Sequence, residues 1–358
     1  MKQSRSYDFL IIGAGIAGLN LAWQLEKMQK SFLILDNTGE HKSSIVAAGM
    51  FNPISGKRMT VNWRVNELLA SLHQTFTDFK TLLGQDYLIP ASIVQSFGNT
   101  KESNDFSIQL EKANFSQFVS STQGEIKGLN QEFGSFEVMG SGWVKTKEWI
   151  SDFQNYLMEQ GKLERCKADW KDIVWQNGTW NWQDLHVNKV VSCEGYQYQE
   201  NPHFNWLPFK LCKGQVLHIR CADLNKEYIL KKGVYLVHQF DDVYKVGATY
   251  EWDFEDEKPN EEGKMNLIDK LDKLLTLPYS ILSQDSGIRP TTRDRAAILG
   301  EHPAIKNLYC FNGLGTKGML QAPFLAKHLL EAIYNHSEID AKVDIKRFYS
   351  FYSSSQNE

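Results

Sequence analysis

Gly13-Ala14-Gly15-Ile16-Ala17-Gly18 is the stretch that decides the fold of this chain. The motif has the form G-x-G-x-x-G, follows the short apolar run YDFLII and precedes an amphipathic helical pattern. In a β-α-β unit the first glycine permits a tight turn, the second lets the backbone approach a pyrophosphate, and the third lets the helix pack closely on the strand. The free N–H groups at the start of the helix attract phosphate. The motif therefore predicts a dinucleotide-binding unit.

An acidic residue follows the glycine motif at the distance that such a unit requires. Residues 32–36 (FLILD) are typical of a second buried strand and end in Asp36, roughly 20 residues after the motif. A carboxylate at this position accepts hydrogen bonds from the ribose hydroxyls and repels a 2′-phosphate, so the sequence disfavours NADP. The motif alone does not choose between NAD and FAD.

The composition narrows the class of protein. The chain has 358 residues, of which 42% are apolar and 23% charged, and its formal net charge is −4. This length predicts two domains, and this charge predicts no DNA partner. The five cysteines are scattered and the histidines lack ligand spacing, so we expect no metal site. No window has the ~18 apolar residues of a membrane-spanning helix and no signal peptide is recognised, which predicts a cytoplasmic protein without a membrane span. The oligomeric state is not addressed by any of these features.

Elements typical of a nucleotide-binding domain occur at the start, in the middle and near the end of the chain. A long amphipathic helix is predicted over 62–83, and a hairpin is indicated by the turn Asn177-Gly178 between two Trp-containing runs. Residues 84–142 have a different character and are rich in Ser, Asn, Gln and Phe, and residues 214–249 contain alternating strands. This interleaving predicts two domains that are both discontinuous in sequence.

Three further stretches carry a more specific pattern. Ser43-Ser44-Ile45-Val46-Ala47-Ala48-Gly49-Met50 contains A-A-G-M after two serines, and residues 245–250 read KVGATY. Residues 287–294 have the form G-x-R-P…D, and residues 313–323 have the form G-x-G-x-x-G-x-x-x-A-P. Together these stretches resemble the D-amino-acid oxidase/glycine oxidase superfamily of FAD-dependent oxidoreductases, and the resemblance extends over nearly the whole chain.

The resemblance implies an α/β architecture with two domains. One is a doubly wound, Rossmann-like FAD domain, and the other is a discontinuous α+β substrate domain built on a mainly antiparallel sheet. On this sequence the FAD domain would comprise 1–83, 143–210 and 284–358, and the substrate domain 84–142 and 211–283. FAD is the implied cofactor. We expect it to be non-covalent, because no cysteine is recognised at a flavin-linking position.

The same resemblance implies a set of FAD contacts. The pyrophosphate would lie at the first glycine motif and the pyrimidine edge of the flavin at the last one, where the N-terminus of a helix stabilises negative charge. Trp170 stands where many relatives have a valine beside adenine, a contact made largely through the backbone. The residues expected to bind FAD are Gly13, Gly15, Ile16, Ala17, Gly18, Asp36, Ser43, Ser44, Ala48, Gly49, Met50, Trp170, Gly195, Gly315, Thr316, Lys317, Gly318 and Met319.

Three residues are candidates for the chemistry. Arg289 stands at the family's carboxylate-binding arginine, where a guanidinium makes two parallel bonds; the alternative is an ion pair with Asp294. Tyr235 matches a substrate tyrosine of glycine oxidase-like enzymes, although a purely structural strand tyrosine is equally consistent with the pattern. Lys245 stands at a position similar to that of a lysine which promotes the reaction with oxygen in the related sarcosine oxidases. We favour the alternative that Lys245 is a solvated lysine on a strand.

These assignments imply oxidation of the C–N bond of an amino acid or N-substituted glycine. A hydride would pass to the flavin, the imine would be hydrolysed, and oxygen or a quinone would accept the electrons. Glycine oxidases carry a second arginine where this chain has Thr316-Lys317. Either Lys317 replaces that arginine or the substrate lacks the second contact.

Two alternatives remain open. Residues 289–294 and 313–323 are also similar to the oxidase module of the bifunctional tRNA wobble-uridine enzyme, which acts on a carboxymethylaminomethyl-type modified base. We rank this second, because we expect no methyltransferase domain in this chain and because a net charge of −4 gives no electrostatic footprint for tRNA. The other alternative is a non-catalytic flavin-binding subunit.

Overall fold

The computed structural model describes residues 4–37, 43–56, 59–121 and 124–355. The chain divides into two compact units, one comprising Met1–Ser44, Lys147–Cys212 and Ile288–Glu358, and the other Ile45–Thr146 and Lys213–Gly287. Three of the unit boundaries fall within about four residues of those expected from the sequence. The first differs, because the predicted helix at 62–83 belongs to the second unit, where Val65 and Leu69 pack into the core.

The described residues form strands and helices with the following bounds. The strands are β1 (Arg5–Ile12), β2 (Phe32–Asp36), β3 (Met50–Phe51), β4 (Ile54–Ser55), β5 (Thr60–Val61), β6 (Leu88–Pro90), β7 (Ile93–Ser96), β8 (Val119–Ser121), β9 (Ser135–Val138), β10 (Gly142–Val144), β11 (Leu163–Arg165), β12 (Val174–Gln176), β13 (Thr179–Trp182), β14 (Leu185–Ser192), β15 (Cys212–Arg220), β16 (Ile229–Lys232), β17 (Val234–Phe240), β18 (Val243–Gly247), β19 (Ser280–Arg289), β20 (Ile298–Glu301) and β21 (Leu308–Asn312). The helices are α1 (Ile16–Lys27), α2 (Ser43–Val46), α3 (Val65–Leu83), α4 (Thr100–Leu110), α5 (Ala113–Ser116), α6 (Thr146–Glu159), α7 (Glu261–Leu274), α8 (Gly318–Asn335) and α9 (Tyr349–Ser355). Two short 3₁₀ turns span Gly195–Glu200 and Ile345–Phe348.

The first unit is built on a mostly parallel sheet. Strands β11, β2, β1, β14 and β21 lie side by side in that order and run parallel. The hairpin β12–β13 extends antiparallel from β14, and β20 pairs antiparallel with β21. Alternate residues of β1 face opposite sides: Leu10 and Ile12 enter a core with Trp170, and Ile11 lies under Gly18 of α1. The sheet is therefore covered on both faces, as parallel sheets require.

The turn of the predicted hairpin is present at residues 177–178. Asn177 has φ +53° and Gly178 has φ +82°, so both central residues adopt the left-handed region. A two-residue turn of this kind matches the twist of the strands it connects, which explains why the Asn-Gly pair was a reliable local signal.

The carboxyl ends of the five parallel strands lie along one edge of this sheet. β1 ends at the first glycine motif, β2 at Asp36, β11 at Arg165, β14 at Ser192 and β21 at Asn312. In open α/β sheets ligands bind beyond this edge, so the strand order itself positions a site there.

The second unit is built on a mainly antiparallel sheet with the order β19-β15-β18-β17-β16-β7-β9-β8, in which β16 and β7 are parallel neighbours. One face packs on α7 through residues such as Leu236 and Leu271. The other face contributes to a core with Phe106 and Phe136, whose rings stack at 4.1 Å, so the phenylalanines of residues 84–142 form this core. The predicted fold class, a Rossmann-like α/β sheet with a mainly antiparallel second sheet, is confirmed.

Candidate functional site

The first glycine motif has the backbone geometry of a phosphate-binding turn. Gly13 has φ +103°, and a Cβ there would lie 2.6 Å from the carbonyl oxygen of Cys193. A Cβ on Gly18 would lie 1.9 Å from the carbonyl oxygen of Gly13, so both glycines are required by close backbone approach. A Cβ on Gly15 would meet Ser44 Oγ at 3.3 Å and nothing else within 4 Å among the described residues. The backbone at Gly15 is therefore open to a ligand.

The start of α1 joins this motif to the two serines. Gly15 provides no side-chain cap for α1, and the N–H of Ile16 donates to Ser44 Oγ at 3.3 Å. Ser43 Oγ donates to the carbonyl of Ile288, the residue before Arg289. Ala17 is buried, so only its backbone faces a ligand. These contacts place Ser44 at the start of α1 and Ser43 beside Ile288, and a helix N-terminus suits an anion.

Asp36 is held in a closed ring of hydrogen bonds. The N–H of Ala14 donates to Asp36 Oδ1 at 2.8 Å, and Arg165 Nη1 donates to Asp36 Oδ2 at 2.7 Å. Arg165 Nη2 donates to Gln154 Oε1 at 2.7 Å, and Gln154 Nε2 donates to the carbonyl of Ala14 at 2.7 Å. Asp36 is 5% exposed. The ring fixes the second residue of the glycine motif. Arg165 and Gln154 were missed by the sequence analysis.

The last glycine motif opens α8 close to the start of α1. Gly315 has φ +53°, and a Cβ on Gly318 would lie 3.5 Å from Ile16 Cδ1. Lys317 precedes α8 without a side-chain cap. Burial, and after it the charge of Lys342, lower the pKa of Lys317. Thr316 is exposed and Met319 is buried. The N-termini of α1 and α8 therefore adjoin, with two glycine motifs side by side.

Gly195 and Trp170 are positioned by two polar residues, the buried Asn312 and the half-buried Glu194, which the sequence did not indicate. Asn312 Nδ2 donates to the carbonyl of Gly195 at 2.9 Å, and Asn312 Oδ1 accepts from the N–H of Gly313 at 2.8 Å. Trp170 Nε1 donates to Glu194 Oε1 at 2.9 Å, so the indole is held in the core. Asn312 thus connects the end of β14 to the last glycine motif. In the sequence Asn312 is recognisable only as a polar residue at the end of a buried strand.

Glu194 is a half-buried carboxyl beside the first glycine motif. Burial raises its pKa, against hydrogen bonds from Ser192 Oγ at 2.6 Å, Trp170, and Asn201 Nδ2 at 2.7 Å, which lower it. Glu194 Cα would lie 3.4 Å from a Cβ on Gly13. The three donors make this carboxyl an anchor for the turn that begins at Gly195.

Arg289 lies at the end of β19 and is half-buried. Its Nη1 is 3.6 Å from Cys212 Sγ. Asp294, considered from the sequence as its ion-pair partner, accepts instead from Arg347 Nε at 2.8 Å. Thr291 forms a β-bridge with Leu314, which brings the G-x-R-P stretch to the last glycine motif. The two halves of the most specific sequence pattern are therefore adjacent in space.

In the second unit, Tyr235 and Lys245 lie on one face of the antiparallel sheet. Tyr235 of β17 pairs with Gly247 of β18. Lys245 precedes Gly247 by two residues on β18, so its side chain points to the same face as that of Tyr235. Lys245 is 8% exposed, and its Nζ donates to the carbonyls of Val46 at 3.3 Å and Ala47 at 3.4 Å. The expectation of a solvated strand lysine is wrong, because the side chain is buried and holds two carbonyl groups.

Ala48, Gly49 and Met50 follow these carbonyls in the second unit. Gly49 has φ +67°, and a Cβ there would lie 2.1 Å from the carbonyl oxygen of Val144. The N–H of Val144 donates to the carbonyl of Gly49 at 3.0 Å. A side chain at this position is excluded by β10, which explains the glycine of the A-A-G-M stretch. Contacts of all these residues with FAD stay a prediction.

Two expected absences concern the described part of the chain. No helix there is long and apolar enough to cross a membrane. Across residues 4–37, 43–56, 59–121 and 124–355, no group of three or more His, Cys, Asp and Glu side chains is arranged to hold a metal ion.

Comparison with known proteins identifies the family. The model of the FAD dependent oxidoreductase family (DAO) matches residues 8–332. The chain therefore belongs to this family of FAD-dependent oxidoreductases, as the resemblance predicted. The residues present fit FAD, because two adjoining helix N-termini with open glycine backbones suit an extended dinucleotide.

Individual relatives are distant. The tRNA 5-methylaminomethyl-2-thiouridine biosynthesis bifunctional protein MnmC of Idiomarina loihiensis is 22% identical over an alignment of 344 positions, which covers 89% of this chain and 54% of that protein. The chain spans about half the length of this relative and of its counterpart from Marinobacter nauticus. The uncharacterized oxidoreductase YurR of Bacillus subtilis is 20% identical over 376 residues, covering 93% of this chain and 96% of that protein.

Solved structures show the same fold at low identity. Glycine oxidase from Bacillus cereus superposes with a TM-score of 0.75 at 19% identity, covering 93% of this chain and 96% of that one. Iminodiacetate oxidase from Chelativorans sp. BNC1 superposes with a TM-score of 0.71 at 19% identity, covering 95% and 98%. At this identity the likeness establishes the architecture alone.

Proposed function

We propose that this protein binds FAD non-covalently and oxidises the C–N bond of an amino acid or N-substituted glycine. The observation that carries the proposal is the junction of α1, α8 and Arg289 in one unit. The proposal is supported by the open backbone at Gly15 and by the Thr291–Leu314 bridge, which joins the stretch that contains Arg289 to the last glycine motif. The similarity to glycine oxidase and iminodiacetate oxidase supports an amino-acid substrate.

The chain's own residues would bind and orient both molecules. Residues 13–18 and 315–319 would hold the pyrophosphate and the flavin edge through backbone N–H groups, and Asp36 would face the ribose. When bound, FAD supplies an acceptor for the hydride that leaves the substrate's α-carbon. Oxygen or a quinone would then take the electrons, and water would hydrolyse the imine.

Arg289 would bind the substrate carboxylate through two parallel hydrogen bonds. The assignment is supported by its half-buried position and by the pairing of Asp294 with Arg347, which leaves that carboxylate engaged elsewhere. Tyr235 would donate its hydroxyl to the substrate. Lys317 is the candidate to replace the second arginine of glycine oxidases, since it immediately precedes α8.

Anaerobic reduction of the flavin tests the reaction. The FAD-loaded protein is mixed with a panel of D- and L-amino acids, glycine and N-alkylglycines, and we expect at least one to bleach the flavin spectrum. Arg289→Ala should retain FAD and slow reduction by roughly 100-fold or more, because a substrate carboxylate loses a bidentate partner. Arg293→Ala, four residues further on and exposed, is the matched control. If no compound bleaches the flavin, the substrate class is wrong and a non-catalytic flavin-binding subunit gains support. If Arg289→Ala is reduced as fast as the unmodified protein, Arg289 does not bind the substrate carboxylate.

A second candidate is an oxidase acting on a carboxymethylaminomethyl-type tRNA base. It is favoured by the two MnmC relatives at 22% identity. The net charge of −4 argues against strong phosphate binding. Retention of tRNA by the purified protein at moderate salt, together with bleaching of the flavin by tRNA that carries this base, would favour the second candidate over free amino acids.

A further inference from the structure

The side-chain amide of Asn312 connects two turns at the carboxyl edge of the parallel sheet. Asn312 ends β21, is 3% exposed, and lies two residues beyond the point where Cys310 pairs with Ser192 of β14. Its Nδ2 donates to the carbonyl of Gly195 at 2.9 Å, and its Oδ1 accepts from the N–H of Gly313 at 2.8 Å. The amide therefore uses a donor on one turn and an acceptor on the other, which an ionised aspartate cannot do.

Both turns depend on glycine conformations. Gly195 has φ +60° and Gly313 has φ +74°, so both residues lie in the left-handed region. A Cβ on Gly195 would meet no described atom within 4 Å, whereas a Cβ on Gly313 would lie 2.8 Å from Thr292 Cγ2. Glycine has more conformational freedom than any other residue, so contacts from outside the turn are needed to hold one conformation. Asn312 provides such a contact to both turns at once.

The turn at residues 193–195 also contacts the first glycine motif. A Cβ on Gly13 would lie 2.6 Å from the carbonyl oxygen of Cys193 and 3.4 Å from Glu194 Cα. This turn therefore packs on the first motif on one side, and through Asn312 it is bonded to the last motif on the other.

The last glycine motif in turn contacts the start of α1. The motif begins at Gly313, whose N–H bonds to Asn312, and its third glycine is Gly318. A Cβ on Gly318 would lie 3.5 Å from Ile16 Cδ1. The two motifs are thus neighbours where their helices begin, and they are linked through residues 193–195 where their strands end. A ligand that contacts two sites at once binds well only if their separation matches its own length.

We propose that Asn312 is a positioning residue for FAD, which sets the spacing between the two glycine motifs. The inference deepens the proposed function, because it rests on FAD lying along both motifs, and it does not concern the substrate. Asn312 acts through the backbones of Gly195 and Gly313, to which its amide is bonded. Holding these turns in place before the cofactor binds increases affinity, because binding then no longer has to order them.

Binding of FAD and of ADP to the full chain freed of cofactor tests this without requiring turnover. FAD spans both motifs, whereas ADP carries only the adenosine and pyrophosphate that the first motif would bind. Asn312→Ala should weaken FAD binding at least about tenfold and change ADP binding by less than about twofold, because altered spacing affects only a ligand that contacts both motifs. Calorimetric titration measures both dissociation constants. The visible circular dichroism of the bound flavin should change as well, since the flavin end lies at the displaced motif.

Asn307→Ala is the matched control. Asn307 is half-buried and immediately precedes β21, at the opposite end of the strand that Asn312 ends. It has φ +60°, so its substitution lowers the melting temperature, but both dissociation constants should stay within about twofold of those of the unmodified protein. Asn312→Asp keeps an acceptor for the Gly313 N–H and places a carboxylate oxygen against the carbonyl of Gly195, so it should weaken FAD binding as Asn312→Ala does. If Asn312→Ala does not fold, Asn312→Ser, whose shorter side chain reaches at most one turn, is judged by the same two dissociation constants.

The proposal is overturned if Asn312→Ala binds FAD as tightly as the unmodified protein, or if FAD and ADP are weakened by the same factor. The second result indicates a role in folding alone. If amino acids bleach the flavin while Asn312→Ala has no selective effect on FAD, only the present inference fails. If no amino acid bleaches the flavin while Asn312→Ala weakens FAD and spares ADP, the proposed reaction fails and the positioning role stands.

Discussion

Arg165 donates a hydrogen bond to Asp36 at 2.7 Å, where β11 and β2 end side by side. The same guanidinium reaches Gln154, and Asp36 and Gln154 both bond to the backbone of Ala14. Asp36 therefore has a structural task besides any contact with ribose. Its orientation is fixed by an arginine before a cofactor binds, and the glycine motif is fixed with it.

Arg165→Met should weaken FAD binding by about tenfold or more and lower the free energy of unfolding by about 1–3 kcal/mol, because two charge-assisted hydrogen bonds are lost and Asp36 stays buried. Fluorescence titration of the apoprotein with FAD and urea unfolding measure the two effects. Lys162→Met is the control, since it removes an ion pair with Glu26 at 2.5 Å in the same unit without touching the ring. Equal effects of the two substitutions on FAD affinity would show that the ring does not position the motif.

The sequence predicted the local parts of this site and missed the distant ones. The glycine motif and Asp36 are recognisable because their spacing within one β-α-β unit is short. Arg165 lies 129 positions from Asp36 and becomes its neighbour only through the parallel pairing of β11 with β2. Periodicity identifies a strand, but it does not specify which strand it pairs with.

The placement of α3 shows the same limit. Its amphipathic pattern predicted a helix, and the helix is present at Val65–Leu83. The pattern shows that one face of the helix is apolar, but it does not specify which of the two cores that face packs against. Val65 packs into the second unit, so the first domain boundary moved from 83 to 44.

Glu194→Gln should lower the free energy of unfolding by about 1–3 kcal/mol, because a half-buried acceptor of three hydrogen bonds is replaced by a group with one acceptor oxygen. Chemical unfolding monitored by circular dichroism measures the loss. Glu200→Gln removes a more exposed carboxylate that pairs with Lys167 at 2.6 Å, and it should change stability much less, because a solvent-exposed ion pair contributes little. A stable Glu194→Gln protein would contradict the anchoring role of this carboxyl.

Because of His302, we expect the free energy of unfolding to fall in mild acid. It is 5% exposed, and its ring packs against Tyr352 with centroids 5.0 Å apart. Burial, and then the nearby His203, lower the pKa of His302 from 6.5 to about 4. The unfolded chain thus binds a proton that the folded chain excludes, so this contribution is complete above pH 6.5 and is lost as the pH falls towards 4.

The expected loss for His302 is up to about 1.4 kcal/mol per pH unit within that window. Urea unfolding at several pH values measures it. His302→Asn keeps an acceptor for the N–H groups of Ala304 and Ile305, which bond to His302 Nδ1 at 3.2 and 3.0 Å, but it cannot titrate. The variant should therefore show a flatter pH dependence, and an unchanged slope would assign the acid sensitivity to other groups.

Lys245→Met should destabilise the protein by about 1–3 kcal/mol, because the carbonyls of Val46 and Ala47 lose a buried charged donor. Thermal unfolding measures this effect, and Lys231→Met, on the same sheet face without such bonds, is a suitable reference. Stopped-flow reoxidation of the reduced flavin by oxygen provides the second readout. If Lys245 acts on oxygen as well, reoxidation slows by more than about tenfold while anaerobic reduction is unchanged, since a nearby cation favours charge developing on oxygen. A Lys245→Met protein with unaltered stability would contradict the structural role, because the two carbonyls would then need no donor.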